Sequence, residues 1–460
     1  MWSNVVLFSY AFIWLICFIR QRRLTNEVGP SVFVMASYFC YAVISILYYN
    51  IMGINYELTL FPYIYLFSML YLALRPGIEY EKSDVCHIQK PRHIIIYLFI
   101  VMYGVCTIVT LPSTLNNIGN GLLTLFSSGS GGLSLYESAR NLTVASDNSI
   151  SGIFGLATIF QNCFRDFSIF ILFYYLSLKE KKKPLVIYLV FVLVIDIIKS
   201  VANGGRTSFM MIIFSVAVAY FMFHNFWSER YRKYMKRIMI ALLIVVSVPF
   251  FVLTFSRFGR GLDTERALNS MISYAGMANV NFGQYVLDAN GIRYGDRTIN
   301  ELKRLLGFNV PNSIMGVREK YSDMTINDGL FYTFVGDFVL DFGPVIAFGI
   351  FLIFSLIFTR YTRSNEHTIP IHRLLLIYFS LCICSQGGMY LYYYSFKMFY
   401  VVVAFFIMYL VFYFDYESLK KNDCLTYLSK CSTSQNLDII KVIKNIIRKV
   451  IIKKTGERKL

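Results

Sequence analysis

The sequence predicts an all-α polytopic membrane protein of about eleven transmembrane helices, within a range of ten to twelve. Three observations carry that expectation. Apolar runs of about 20 residues, long enough to cross ~30 Å of hydrocarbon as helix, recur along the chain. Of 460 residues, 56% are hydrophobic and only 15% charged, against about a quarter charged in soluble domains. The Lys and Arg residues behind the formal net charge of +17 fall mostly in short gaps between apolar runs, as topology signals do. That distribution argues against nucleic acid and makes the lipid bilayer the chain's surrounding partner.

Residues 1–255 hold the first eight helices. Trp2–Ile19 has no basic residue before it and Arg20, Arg22 and Arg23 after it, the reverse of a cleaved signal peptide, so its N-terminus is expected outside. Helices two and three are Ser31–Tyr49 and Leu58–Leu74. The basic linker Arg75–His93 is expected inside. Helix four, Ile94–Leu111, leads to a Gly/Ser/Asn-rich stretch, Pro112–Ser149, expected as an outer loop; it contains a weak glycosylation triplet, Asn141-Leu142-Thr143. Helix five, Ser151–Leu178, stops at Lys179, Lys181, Lys182 and Lys183. Helix six, Leu185–Val201, breaks at Asn203-Gly204-Gly205. Helix seven, Arg206–Phe223, runs inward to a linker with Arg230, Arg232, Lys233, Lys236 and Arg237. Helix eight, Ile238–Phe255, returns outward.

Residues 256–330 form the longest stretch without an apolar span, expected as one large extracytoplasmic loop. It carries seven arginines (257, 260, 266, 293, 297, 304, 318) but only two lysines (303, 320), interleaved with eight acids, glycines and aromatics. Arginine binds phosphate bidentately and never loses its charge, so this bias suits an anion-binding cap. Residues 331–414 hold helices nine (Phe331–Phe358), ten (Arg373–Gln386) and eleven (Phe399–Phe414). The basic tail 415–460 is expected in the cytoplasm. Within it, 438–454 places isoleucines on one face, the pattern of a basic amphipathic helix on an anionic leaflet or of a solvated tail.

Charges inside hydrocarbon cost about 2.5–3.5 kcal/mol on insertion scales, so each needs a reason. Asp196 and Lys199, three apart on helix six, suit a local ion pair. Arg165 and Asp166 are adjacent and diverge, so they are not expected to cancel, which makes Arg165 a candidate for a polar cavity. Arg206 opens helix seven after two glycines, where free N–H groups, the helix dipole and a guanidinium fork would meet an anion. A snorkelling interfacial arginine is its plain alternative. Asp337 and Asp341 lie one turn apart on one face of helix nine. In the loop, Arg257 and Arg260 follow helix eight, while Arg293 and Arg297 flank a Gly-containing turn; for each, a salt bridge to a nearby acid is the plain alternative.

All five histidines (87, 93, 224, 367, 372) fall in segments expected inside, which removes a histidine base from the outer face. No phosphate-binding glycine loop, zinc spacing or Ser/His/Asp arrangement is visible, and the nine cysteines include no CxxC, so neither a metal nor another cofactor is expected.

Two segments add a resemblance. NGGRTSFMM at 203–211 and LFYTFVGDFVLDFGPVIAFG at 330–349, together with the topology, resemble the bacterial oligosaccharide repeat-unit (O-antigen) polymerases of the Wzy type. The resemblance implies a GT-C-like glycosyltransferase bundle in the bacterial cytoplasmic membrane. It implies joining of polyprenyl-diphosphate-linked repeat units into O-antigen or capsular-type polysaccharide at the outer face, without metal or nucleotide sugar. A chain-length regulator and a flippase are the implied partners. On this basis Arg206, Arg257 and Arg260 are assigned to the diphosphate, and Asp337 either acts as base or orients an arginine. Arg165, Arg293, Arg297 and Asp341 are supporting substrate-site candidates.

Three alternatives stay open. An O-antigen ligase shares the donor lipid but uses an outer-loop histidine. A lipid-linked oligosaccharide flippase or other transporter would show repeated halves, and no internal repeat is visible. A sensor or scaffold would need no arginine for binding.

Overall fold

The structure is a computed structural model, and it describes residues 2–83, 85–127, 152–178, 182–202, 206–256, 264–326, 331–363, 367–390 and 399–433. Each of the eleven stretches predicted to be helical is helical. They are α1 (Trp2–Thr25), α2 (Pro30–Ile51), α3 (Leu60–Glu81), α4 (His93–Ser127), α5 (Ile153–Ser177), α6 (Lys183–Ala202), α7 (Arg206–Phe223) and α8 (Glu229–Ser256). The 256–330 segment adds α9 (Thr264–Asn281), α10 (Asn300–Leu305) and α11 (Ile314–Lys320). Then follow α12 (Thr333–Thr362), α13 (Ile371–Gly387) and α14 (Phe399–Thr433). Seven helices among the described residues are long and apolar enough to cross a membrane. Large apolar side chains such as Phe12, Phe61, Ile108, Val345 and Ile353 stand exposed on their outer faces. A bilayer would cover such a belt, and the chain is a helical membrane protein.

The compact units are Met1–Tyr409 and Leu410–Leu460; the site lies in the first. At its centre Trp14 of α1 meets Tyr38 of α2 and Phe67 of α3, with ring centroids at 4.8 and 5.0 Å. The buried Tyr38 hydroxyl donates to the carbonyl of Cys384 on α13 at 2.7 Å, so the first and penultimate hairpins share one core.

Loops segregate to two ends. At one end Glu27 pairs with Arg232 (2.6 Å), Gln21 donates to Glu81 (3.2 Å), and Thr362 donates to the Pro76 carbonyl (3.4 Å). Strands β1 (His87–Gln89) and β2 (Thr368–Pro370) pair there in parallel. At the other end Asn4 donates to Asn50 (3.1 Å), the Leu58 amide donates to Ser3 (3.0 Å), and the Thr333 amide donates to Met389 (3.0 Å). Each of these contacts joins segments that the sequence expects on the same side.

Two expectations change, at Pro112 and in helix nine. Pro112 does not end α4, which continues to Ser127. Hydroxyls beside the proline engage local carbonyls, as Ser113 does with Thr110 at 2.9 Å, and membrane helices tolerate proline this way. At 1.5 Å per residue the helix runs about 52 Å, well beyond the ~30 Å of hydrocarbon.

The large loop is folded. Helix α9 lies against α2, where Ser45 donates to the Gly276 carbonyl (2.9 Å) and Asn279 donates to Ser45 (3.0 Å). A Cβ on Gly276 would sit 2.7 Å from the Ile44 carbonyl, so only glycine permits this approach.

Helix nine of the sequence, now α12, is broken. Gly343 adopts φ 78°, ψ 160° and precedes Pro344. That conformation is close to glycine-only, and a proline cannot donate back into the preceding turn. The portion after the break, 344–362, spans about 28 Å by itself. The portion before it, 333–342, is buried on most of its faces and lies beneath the cap turn.

Candidate functional site

The site is built where the half-helix 333–342 meets the turn 290–299. Around that turn Asn290, Gly291, Tyr294 and Gly295 all have positive φ, so the chain curls tightly enough to aim Arg293 and Arg297 at the same helix face. Asp337 and Asp341 present their carboxylates from that face, one helical turn apart.

Arg293 is 1% exposed and is held on every side. Its Nε lies 2.8 Å from Asp341 and its Nη2 3.3 Å from Asp337; Nη2 also donates to the Asp337 carbonyl at 3.1 Å. Its own amide donates to the Leu340 carbonyl at 2.8 Å, and its carbonyl accepts from the Tyr321 hydroxyl at 3.0 Å. Arg297 reaches Asp337 through Nε at 2.8 Å and donates to the Tyr332 hydroxyl at 3.0 Å, with its guanidinium 5.7 Å from that ring's centre. Asp341 also receives the amides of Arg297 (3.2 Å) and Thr298 (2.7 Å) and the Thr298 hydroxyl (2.7 Å).

Two arginines and two aspartates thus form a buried, charge-balanced knot. Such a network adds little net stability over an apolar packing, but removing one partner leaves an uncompensated buried charge. Chemically it fixes the cap turn to the bundle. Of the two roles open for Asp337, this geometry favours orienting an arginine. Its carboxylate is sealed from solvent and already faces two guanidinium groups.

Facing away from the knot, Asp296 is buried and accepts from Lys303, Lys320 (2.6 Å) and the Tyr321 hydroxyl (2.7 Å). Burial pulls its pKa upward, but the bonds from Lys303, Lys320 and Tyr321 outweigh it and hold the carboxyl below its ordinary value. Tyr321 is pushed up to about 12, first by burial and then by the neighbouring Asp296. A cleft of about 280 Å³ opens beside the knot, lined by Arg293, Arg318, Tyr321, Ser322 and Thr325.

The remaining candidates lie elsewhere. Arg165 pairs with Asp166 at 3.4 Å. This corrects the expectation that adjacent side chains diverge: α5 lets the flexible arginine fold back along its own backbone to a buried carboxylate. Arg165, Lys199 and Asp166 all lie close enough to Asp196 to act on its charge. A polar seam adjoins them, in which Thr110 donates to Gln161 (2.8 Å) and Gln161 donates to Thr107 (3.0 Å).

Arg206 is the first residue of α7. The far end of that helix, at His224, contacts Glu27 (3.3 Å) at the basic-loop end. Eighteen helical residues span about 27 Å, so the backbone of Arg206 starts from the cap end. Its side chain, Arg257, Arg260 and the 438–454 segment all lie outside the described residues.

Tyr332, Thr298 and the Asp296 cluster were not marked as candidates in the sequence. Little local distinguishes them, because apart from Lys303, seven residues from Asp296, the partners named above arrive from 24 to 43 residues away.

The fold and site therefore define a helical membrane protein with a folded, arginine-bearing cap at one end of its bundle. The chain matches no family model, no characterised protein and no solved structure to which it was compared.

Proposed function

We propose that this chain is a bacterial cytoplasmic-membrane glycosyltransferase that polymerises polyprenyl-diphosphate-linked repeat units at the outer face. In this reading it crosses the membrane eleven times in a GT-C-like bundle, with the cap outside and the tail in the cytoplasm. The observation that carries it is the cap itself. Arginine-rich chain is folded onto the bundle end from which α7 starts, and a half-helix is pinned beneath it by Arg293, Arg297, Asp337 and Asp341.

The reaction needs a cationic surface where lipid diphosphates reside. An acceptor hydroxyl forms a bond to the donor sugar's anomeric carbon. The bond from that carbon to the diphosphate breaks, the electron pair leaves with the lipid diphosphate, and the hydroxyl proton passes to a base or water. Guanidinium groups at the rim stabilise the charge that develops on the leaving group. Because Arg293 and Arg297 are balanced by aspartates, that role falls to Arg206, Arg257 and Arg260. Asp337 and Asp341 then act as positioning residues.

Membranes carrying the protein, supplied with purified polyprenyl-diphosphate repeat units, should yield a ladder of lengthened lipid-linked glycans. Arg206→Ala and Arg257→Ala should each abolish the ladder while leaving insertion intact; full activity in both would refute the site. Transfer to a lipid-A core would identify a ligase instead, and altered sidedness of the lipid without new bonds a flippase. The described histidines all sit in basic-loop segments, away from the cap, which disfavours the ligase.

A further inference from the structure

At the end opposite the cap, α7 and α8 stand apart around a groove of about 750 Å³. That volume falls within the ~300–1,000 Å³ range of small-molecule sites. The groove's wall is apolar, formed by Ile213, Val216, Ala217, Met239 and Leu243, and its mouth is cationic, formed by Arg22, Arg232 and Lys236. Along α8, Ile240, Leu243, Ile244 and Val248 remain exposed, so the gap opens sideways toward lipid rather than into a sealed core.

The charges at the mouth do not cancel. Glu27 is the carboxylate there, and it is occupied by Arg232 at 2.6 Å and by His224 at 3.3 Å. Among the described residues Arg22 and Lys236 have no carboxylate partner. The Nε of Arg232 is buried with no hydrogen-bond acceptor among the described residues. The Arg232 side chain is 32% exposed at the mouth, so an anion arriving there can reach its guanidinium. Here it borders the groove at the end of the bundle where the basic loops lie.

We propose that this groove binds one anionic phospholipid of the adjacent leaflet, its phosphate held by Arg22, Arg232 and Lys236 and an acyl chain lying between α7 and α8. The fit is that of a snorkelling cationic rim over an apolar slot. The lipid would wedge α8 at a fixed distance from the bundle. This site is separate from the cap and does not depend on the proposed glycosyl transfer.

The test is lipid retention by the full-length protein in detergent, read by native mass spectrometry with phosphatidylglycerol and phosphatidylcholine supplied in competition. Wild type should retain phosphatidylglycerol preferentially, with one tight equivalent. Arg22→Ala with Lys236→Ala should weaken that binding at least about tenfold, as expected for two interfacial cations. Ala217→Trp, which fills the slot without touching a charge, should also displace the lipid. Equal retention of the two lipids by wild type would overturn the proposal. So would unchanged binding in Ala217→Trp, which would indicate surface attraction alone, or displacement of the lipid by millimolar inorganic phosphate, which would make free phosphate the ligand.

Discussion

Replacing Asp341 by alanine tests whether the buried knot holds the cap. Asp341 is fully buried, lies 2.8 Å from Arg293 Nε as an ion pair, and accepts from the Thr298 amide and hydroxyl at 2.7 Å each and from the Arg297 amide at 3.2 Å. Its removal leaves Arg293 facing the Asp337 carboxylate at 3.3 Å and strands the buried Thr298 amide and the part-buried Arg297 amide. Breaking a buried ion pair costs about 3–5 kcal/mol. Each buried donor left unsatisfied costs about 1–3 kcal/mol. These terms do not add fully, because one site relaxes once, so about 3–5 kcal/mol is expected for local stability of the cap. That raises the population of the opened cap by roughly two to three and a half orders of magnitude. Limited proteolysis of the purified protein reads that population when cleavage is slow relative to closing. Cleavage in the 290–326 region should therefore accelerate strongly while the transmembrane core stays intact. A control makes the argument specific: Arg293→Met combined with Asp341→Leu should be milder than Asp341→Ala alone, since no charge is left stranded. Cleavage of Asp341→Ala within about threefold of wild type would refute the reasoning, since that corresponds to under about 1 kcal/mol.

Two further outcomes follow from the same geometry. Because the Asp296 carboxyl is held below its ordinary value, its stabilisation is present at neutral pH and is lost as pH falls through that depressed value, below the usual carboxylate range near about 4. Protease resistance of the cap should drop on acidification in wild type, and Asp296→Asn should flatten that drop; an identical pH profile in the variant would remove Asp296 from the account. The segregation of loops predicts that Cys86, which is exposed beside the β1–β2 pairing, reacts with an impermeant thiol reagent only from the cytoplasmic side. A cysteine placed at Thr325 in the cap should react only from the other side; labelling of both from one side would refute the segregation, and exchanged sidedness would invert the topology.

The sequence legibly marked the helices, and the reason is local. A run of about 20 apolar residues must satisfy its own backbone in hydrocarbon, and only a helix does so within one segment. The basic gaps marked which loops share an end, and the contacts between Glu27 and Arg232 and between 87–89 and 368–370 join loops of the same group. Local signals misled where tertiary surroundings compensate for them. Pro112 looked like a stop but sits within a helix, and Arg165 and Asp166 looked divergent but pair. Gly343-Pro344 breaks the helix although the apolar run continues on both sides of it, so the hydropathy pattern alone does not mark the break.

What the sequence determined by itself was a set of helices and the ends to which their loops belong. The tertiary structure decided which charges are neutralised. Arg293 and Asp337 are 44 positions apart, and no periodicity links them. Only the curl at 290–295 and the break at Gly343 bring the turn and the half-helix together, so that four charges balance in one buried space. A side chain's chemistry depends on what lies within about 4 Å of it, and for these residues that neighbourhood is made entirely by distant parts of the chain.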